Sequence, residues 1–374
     1  MREAGARIKQ WLWAGVLAAG LLVGLPAHGE IKIVDQAGRS VRLNEPARRI
    51  FFSEPGDFAM LALLVENPAS RIVAWNRWRL DERTLESWRS IDSAAFDQIA
   101  QLVIDGPQNL NAESLIVHEP DLVVLDHFFG RASHVVRQLE QAGIPVAILT
   151  LEPRLTQLNP AEGLEKLAVL VGRESRGEEV SGFIRARRDR IASRAQQLLA
   201  DGVAQPTVLM EPHAGIGPCC LSMGLGRSMG DLVAIAGGKL IGSDIIDEMS
   251  GRLSPEYVIA ENPEVYIGTG GRHLEGRDGL VLGLDVEPDR AEASLRAVMK
   301  RVGLKHIRAT EQGRVYGVWH SGYGIVNLEL IAKWLYPEHF NDVDPAATQA
   351  EIFQRFMPVT QQGTFWTSLH AKEE

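Results

Sequence analysis

The spacing of apolar residues changes along the chain in a repeating way. Past residue 29 the stretch IKIVDQAGRSVRLNEPARRI alternates apolar and polar positions on either side of a turn at 35–38, which predicts a β-hairpin at a sheet edge. Short apolar runs follow at 50–53, 72–75, 122–125 and 146–149, with helical spacing at 58–65 and 132–142. Strands that alternate with helices need crossover connections and so build a mostly parallel sheet. From Pro160 to Gly202 no strand signal occurs, and beyond Gly172 a charged stretch brings Val180, Phe183, Ile184, Ile191, Ala195, Leu198 and Leu199 to one face. That pattern predicts one long helix. The rhythm resumes with strands at 207–210, 265–268 and 315–319, and 328–335 opens a helical C-terminal section. The expected organisation is an N-terminal lobe over 30–172, a connecting helix over 173–202 and a C-terminal lobe over 203–374.

One segment occurs twice. Residues 110–123 read LNAESLIVHEPDLV and residues 253–266 read LSPEYVIAENPEVY. In each copy a leucine precedes a helix-capping residue, Asn111 or Ser254, with Ala112 or Pro255 at the first helical position and then Glu113 or Glu256. Pro120 or Pro263 stops the helix seven residues later, and an apolar strand follows. Two copies are too few for a solenoid but fit two similar lobes with a glutamate at the same place in each.

The chain begins with Arg2, Arg7 and Lys9 ahead of an apolar stretch from Trp11 to Leu25, ending in Pro26-Ala27-His28-Gly29. Small residues at 27 and 29 suit a secretory signal peptide cut after Gly29. Its apolar core of about fifteen residues falls short of the roughly 20 that span a bilayer, and no other stretch comes closer. The only cysteines, Cys219 and Cys220, lie far from the cut, so no lipid anchor is expected. These features predict a free, monomeric periplasmic protein of a Gram-negative cell. The formal charge of the full sequence is −9, and removal of three basic groups and one acidic group makes the mature chain more acidic still. No Lys/Arg cluster offers the basic face that nucleic acid requires. The roughly 345 residues that remain exceed the usual single core, in keeping with two lobes.

With Asp35, Gly38 and Arg39, then Pro46 and the Arg49-Ile50 step into the first core strand, the mature chain opens like a known family. The paired Glu-to-Pro segments, the connecting helix and Ala236-Gly237-Gly238 ahead of Leu253-Ser254-Pro255-Glu256 extend the likeness over nearly all of it. The sequence resembles the class III periplasmic substrate-binding proteins of ABC importers, which carry ferric siderophores, haem or cobalamin. The resemblance implies an α/β protein of two Rossmann-like lobes with central, mostly parallel sheets, joined by one long rigid helix, with the ligand cleft between them. It also implies that Glu113 and Glu256 are surface glutamates that dock on arginines of the inner-membrane permease dimer. A first-turn glutamate is favoured by the helix dipole by about 0.3–1 kcal/mol without any partner, so either one alone carries little weight. The matched pair, one per lobe, is what a two-fold permease requires.

Ligands of open α/β sheets bind beyond the carboxyl ends of the strands. In the first lobe those positions hold Glu54, then Trp75, Arg77 and Trp78, then His127, Phe128 and Arg131. In the second they hold His213, the loop with Cys219, Cys220 and Met223, then Arg272, and finally Trp319, His320 and Tyr323. The aromatics suit a bulky ligand and the arginines its carboxylate or catecholate oxygens, against plain core packing and solvated surface. His127, His213 and His320, if they converge, suit an open position on a chelated metal or a haem iron. No resident cofactor is expected.

Cys219 and Cys220 are adjacent, and neighbouring Cα atoms stand closer than disulfide geometry favours. An oxidising periplasm still permits a vicinal bridge, which would wall the cleft, while free thiolates beside Met223 and His213 would be soft metal ligands. Gly226-Arg227-Ser228-Met229-Gly230 fits the G-x-S-x-G pattern of a hydrolase, but no buried strand leads into it. The leading expectation is a protein that captures a ferric siderophore or similar chelate and does no chemistry. The alternatives are haem, cobalamin or another metal chelate bound through histidine, and, from a different class, a hydrolase through Ser228 or a thiol redox enzyme through Cys219 and Cys220.

Overall fold

A computed structural model describes residues 30–78, 80–226 and 229–369. The expected signal peptide and residues Arg227 and Ser228 of the hydrolase-like pattern lie outside the described residues. The chain opens with the expected hairpin, β1 (Ile31–Val34) against β2 (Ser40–Leu43). Buried Asp35 shapes its turn by accepting hydrogen bonds from the backbone N–H groups of Ala37 and Arg39, and a third from Ile148. The third bond joins the hairpin to the edge of the first sheet.

The first lobe then runs through β3 (Ile50–Phe52), α1 (Asp57–Ala62), β4 (Ile72–Asn76), α2 (Glu82–Arg89), α3 (Ser93–Phe96) and β5 (Ala100–Leu102). It continues with α4 (Ala112–Ile116), β6 (Leu122–Leu125), α5 (Ser133–Gln141), β7 (Val146–Ile148) and α6 (Glu162–Leu170). Its five strands pair in the order β5-β4-β3-β6-β7, all parallel. Strand periodicity divides the side chains: Phe51 and Val123 enter the core on one face, whereas Ile50, Phe52 and Leu122 enter the core on the other.

The predicted long helix is α7 (Glu174–Ala200), 27 residues and about 40 Å long at 1.5 Å per residue. Val180, Phe183, Ile184, Ile191, Ala195 and Leu198 are buried as their spacing predicts, while Leu199 is 37% exposed at the end of the stripe. Gly177 lets the helix lie directly on Ala168 of α6, because a Cβ there would stand 2.4 Å from the alanine methyl.

The second lobe comprises β8 (Thr207–Glu211), β9 (Leu221–Met223), α8 (Gly230–Ile235), β10 (Lys239–Leu240), β11 (Ser250–Arg252), α9 (Pro255–Glu261) and β12 (Val265–Gly270). It goes on through β13 (Gly283–Leu284), α10 (Pro288–Val298), α11 (Arg308–Glu311), β14 (Val315–Trp319), α12 (Gly324–Leu335) and α13 (Pro345–Arg355). The expected helical section is present as α12 and α13, and strand follows it among the described residues. After α13 come β15 (Gly363–Thr364) and β16 (Trp366–Leu369), and β16 joins the sheet antiparallel to β14. The sheet order is β10-β8-β12-β14-β16, parallel apart from that edge. One face of each sheet packs with α7 into a shared apolar core, and each opposite face has a core of its own. The expected α/β class with two lobes and a connecting helix is thus the observed one.

Candidate functional site

The carboxyl ends of the two parallel sheets face each other across a cleft. On the first lobe its framework is Asn76, the last residue of β4, which is fully buried. Its amide donates to the carbonyls of Ser53 and Ile104, both at 2.9 Å, and its carbonyl accepts from the N–H groups of Ile104 and Trp78. One side chain therefore holds the loops after β3, β4 and β5 together. The hydroxyl of Ser53 accepts from Asp126 N–H at 2.9 Å and adds the loop after β6.

These loops concentrate carboxylates. Glu54 follows β3, Asp126 follows β6, Glu152 follows β7 and Asp57 opens α1. Glu54 keeps some solvent access, yet the protein packed around it, then the charges of Asp126 and Glu152, push its pKa up to about 7. Asp57 is 3% exposed with one carboxylate oxygen lacking any hydrogen-bond partner, and burial, then Glu54 and Asp126, hold its pKa well above the usual range. Burial raises Glu152 too, with Arg154 acting against it.

The second lobe presents imidazoles. His213 follows β8 in a left-handed conformation (φ 46°), and its N–H donates to the hydroxyl of buried Thr269 at 3.0 Å. His273 follows β12 and His320 follows β14. The three ring centroids stand 5.0, 5.5 and 4.7 Å apart, and His213 Nδ1 is 2.9 Å from His273 Nε2. Parallel neighbours β8, β12 and β14 set their ends side by side, which brings together residues that are far apart in sequence. Gly271 leaves room for the rings: a Cβ there would lie 2.6 Å from His320 and 2.8 Å from His273.

His273 and His320 are held neutral near pH 7. Burial, followed by the neighbouring His320 and His213, lowers the pKa of His273 to about 4, and burial also lowers that of His320. Because His320 Nδ1 is 2.9 Å from the carbonyl oxygen of Gly270, which only accepts, the proton sits on Nδ1. Its Nε2 is left with a lone pair, now shared with the Ser321 hydroxyl at 3.0 Å. Asp81 of the first lobe, fixed by capping α2 through Thr84, acts on both His273 and His320. Leu155 of the first lobe approaches Gly324 of the second at the same level.

Beneath His213, Glu211 is buried at the end of β8, bonded to Arg301 at 2.9 Å and to the Tyr266 hydroxyl at 2.5 Å. Arg301 also reaches the carbonyl of Gly217 at 3.4 Å, so this network braces the loop that begins at His213.

Several expected positions are placed differently. The third histidine of the group is His273, whereas His127 is exposed on the first lobe. Trp75 is fully buried among Phe58, Trp88 and Phe96, because it points to the core side of β4 rather than beyond its end. Cys219 and Cys220 form a vicinal disulfide inside the second lobe, bonded to the backbone of Leu253 and packed near Gly303, which rules out free thiolate ligands. Met223 is likewise in the core at 9% exposure. Arg272 is committed to its own lobe, donating to the carbonyls of Leu284 and Asp285 at 3.3 Å and lying 3.5 Å from Glu275. Arg77 lies 3.5 Å from Glu82. Phe128 is 44% exposed with Arg131 above its ring at 5.8 Å. Trp78, Trp319 and Tyr323 are half-buried; Trp319 packs on Phe365, and burial raises the Tyr323 phenol. Asp57, Asp81, Glu152 and His273 are the site residues that sequence reasoning missed.

Residues 58–319 match the family model described as periplasmic binding protein. The chain belongs to this family. It is a family of solute-binding proteins, not enzymes, and the fold is that of the class III binding proteins of ABC importers. The TroA-like periplasmic binding protein FepB from Veillonella parvula is 25% identical, with a TM-score of 0.81 over 91% of this chain and 100% of that one. The molybdate-binding protein MolA of Haemophilus influenzae is 24% identical over 69% of this chain and 73% of its own length. Its molybdate-bound structure superposes with a TM-score of 0.64 over 89% and 99% of the two chains. CeuE of Helicobacter pylori with Ni(II) bound shares the fold at 18% identity and a TM-score of 0.61, covering 88% and 97%. Among the described residues no helix is long and apolar enough to cross a membrane.

Proposed function

We propose that this binding protein captures a metal chelate of the ferric siderophore type between its lobes and delivers it to an inner-membrane ABC permease. The observation that carries the reading is the group of convergent histidines, His213, His273 and His320, at the strand ends of the second lobe. Neutral imidazole is a ligand for iron, nickel, copper and zinc. Among the described residues no group of three or more His, Cys, Asp or Glu is arranged to hold a bare ion, which favours a metal that arrives already chelated. Phe128 and Trp319, with Trp78, supply apolar surface for the organic part of such a ligand.

Glu113 and Glu256 serve as the docking charges in this reading. Both are exposed in the first turns of α4 and α9, capped by Asn111 and Ser254. Each helix runs back along its sheet into the parallel strand that follows it, β6 or β12, so its first turn lies at the cleft end of its lobe. A permease that meets the cleft face would meet both.

The test is tryptophan fluorescence of the ligand-free protein against ferric hydroxamate, catecholate and carboxylate chelates, with haem, cobalamin and molybdate included. Saturable quenching by at least one ferric chelate is expected. Quenching by haem or molybdate alone would overturn the reading.

A further inference from the structure

The first-lobe wall of the cleft carries Glu54, Asp57, Asp126 and Glu152, on loops tied together by Asn76 and Ser53. The charges that act on Glu54 are those of Asp126 and Glu152, so the cluster is not internally neutralised. Asp57 adds an independent sign of an absent partner: it is 3% exposed, Glu54 and Asp126 are its charged neighbours, and one of its oxygens is unbonded. Buried carboxylate oxygens are normally hydrogen-bonded, and one that is not marks a place for a donor. The cations nearby are few and mostly engaged. Arg77 is with Glu82, Arg131 lies over Phe128, and Arg154 acts on Glu152. Across the cleft the charge of Asp81, a further carboxylate of the first lobe, reaches His273 and His320.

We infer that the cargo is a metal complex of zero or positive net charge, oriented with a cationic or hydrogen-donating group against Glu54, Asp57, Asp126 and Glu152 and its metal toward the histidines. The inference rests on the chelate reading above and narrows it. A trianionic ferric tris-catecholate, or molybdate itself, would have to enter beside like charges in a partly desolvated cleft, where such repulsion is strongest. A ferric hydroxamate bearing a free ammonium would find its acceptors in place, and its charge would offset the burial and repulsion that raise Glu54 and Asp57.

Two measurements separate this inference from the reading it rests on. The first compares tryptophan quenching by a linear ferric tris-hydroxamate with a terminal ammonium, by its N-acetylated form and by a ferric tris-catecholate. The ammonium form should bind at least tenfold more tightly than the acetylated form, with the catecholate weakest. In the double variant Glu54→Gln, Asp126→Asn the first two should fall within threefold of each other. A catecholate that binds as tightly as the ammonium form overturns the inference and leaves the siderophore reading standing. The second uses two inert octahedral cobalt(III) ions, hexaamminecobalt and hexacyanocobaltate, as charge probes in thermal unfolding. The cation should raise the midpoint of wild type and lose that effect in the double variant, while the anion should have none. Stabilisation by the anion, or an undiminished cation effect in the variant, would overturn the inference. A cation effect that depends on Glu54 and Asp126, with no ferric chelate bound, would keep the charge assignment and remove the siderophore.

Discussion

His213 Nδ1 and His273 Nε2 meet at 2.9 Å although the residues stand 60 positions apart. Each ring holds the other in orientation, and His320 closes the group with its centroid 4.7 Å from that of His273. Replacing His273 by alanine removes one imidazole and leaves His213 without this contact. The expected outcome is at least tenfold weaker chelate binding, equivalent to about 1.4 kcal/mol, with the thermal midpoint nearly unchanged because His273 is exposed. Quenching titration alongside a melting curve checks both, and full affinity in the variant would remove the histidines from the site.

Glu54 and His273 give opposite pH signatures in the free protein. The folded state raises Glu54 from 4.5 to about 7, so it binds more protons than the unfolded chain in that interval and this contribution to stability is lost as pH rises through it. The folded state lowers His273 from 6.5 to about 4, so its contribution is present above 6.5 and is lost as pH falls toward 4. Glu54→Gln should therefore be more stable than wild type at pH 8, with the gain vanishing near pH 4.5. His273→Gln should flatten the acid side of the curve instead. Urea unfolding from pH 4 to 8 measures both slopes, and the same sign of change in the two variants would contradict the assignments.

Glu211 is 1% exposed and shared between Arg301 and the Tyr266 hydroxyl. Glu211→Ala would strand the guanidinium and the phenol in a largely dry pocket. Removing one partner of a buried ion pair costs about 3–5 kcal/mol, so a lower unfolding midpoint is expected. Binding should weaken as well, since the loop from His213 to Gly217 loses its brace. Unchanged urea unfolding would show that water already screens the pair.

The strands and the long helix were legible because their patterns are periodic and their cores are apolar. Val180, Phe183, Ile184 and Ile191 recur at helical spacing, and 122–125 is an unbroken apolar run. The site was harder to read. A strand end placed at Gly268, where β12 continues to Gly270, set the candidate loop back by two residues and left His273 just outside it. Thr269, Gly270 and Gly271 read as loop because glycine has no strand propensity, yet Gly271 is there to make room for His273 and His320. Trp75 reads as the last residue before a loop, but β4 runs on to Asn76, so Trp75 stays inside the strand and packs into the core on one of its faces. The strand β16 gave no signal because all four of its residues are only half-buried at a sheet edge.

Glu113 and Glu256 sit in equivalent first turns on the two lobes, each on an exposed position. Reversing both to lysine should abolish uptake in cells that depend on this protein while ligand affinity stays within twofold. The single reversals should give intermediate rates. A lost affinity would move these residues into the ligand site, and undiminished uptake would end the docking role.

Closure on ligand should be small. The connecting helix α7 is fixed to the first lobe by the pair Arg185–Glu165 at 2.9 Å and by Gly177 on Ala168. It is fixed to the second by Arg187–Glu351 at 2.6 Å, Arg355–Glu179 at 2.8 Å and the Phe183 ring edge-on to Phe356 with centroids 5.1 Å apart. Exposed ion pairs contribute little singly, about 0–1 kcal/mol each, but here they flank a shared apolar core that a hinge would have to break. A continuous helix has no soft dihedral at which to bend, so the lobes can rock but not swing. Small-angle scattering of free and loaded protein should give radii of gyration within about 0.5 Å, far less than the compaction a hinged closure would produce. A larger change would mean that α7 unwinds or detaches, and Arg187→Ala with Arg355→Ala should then enlarge it further.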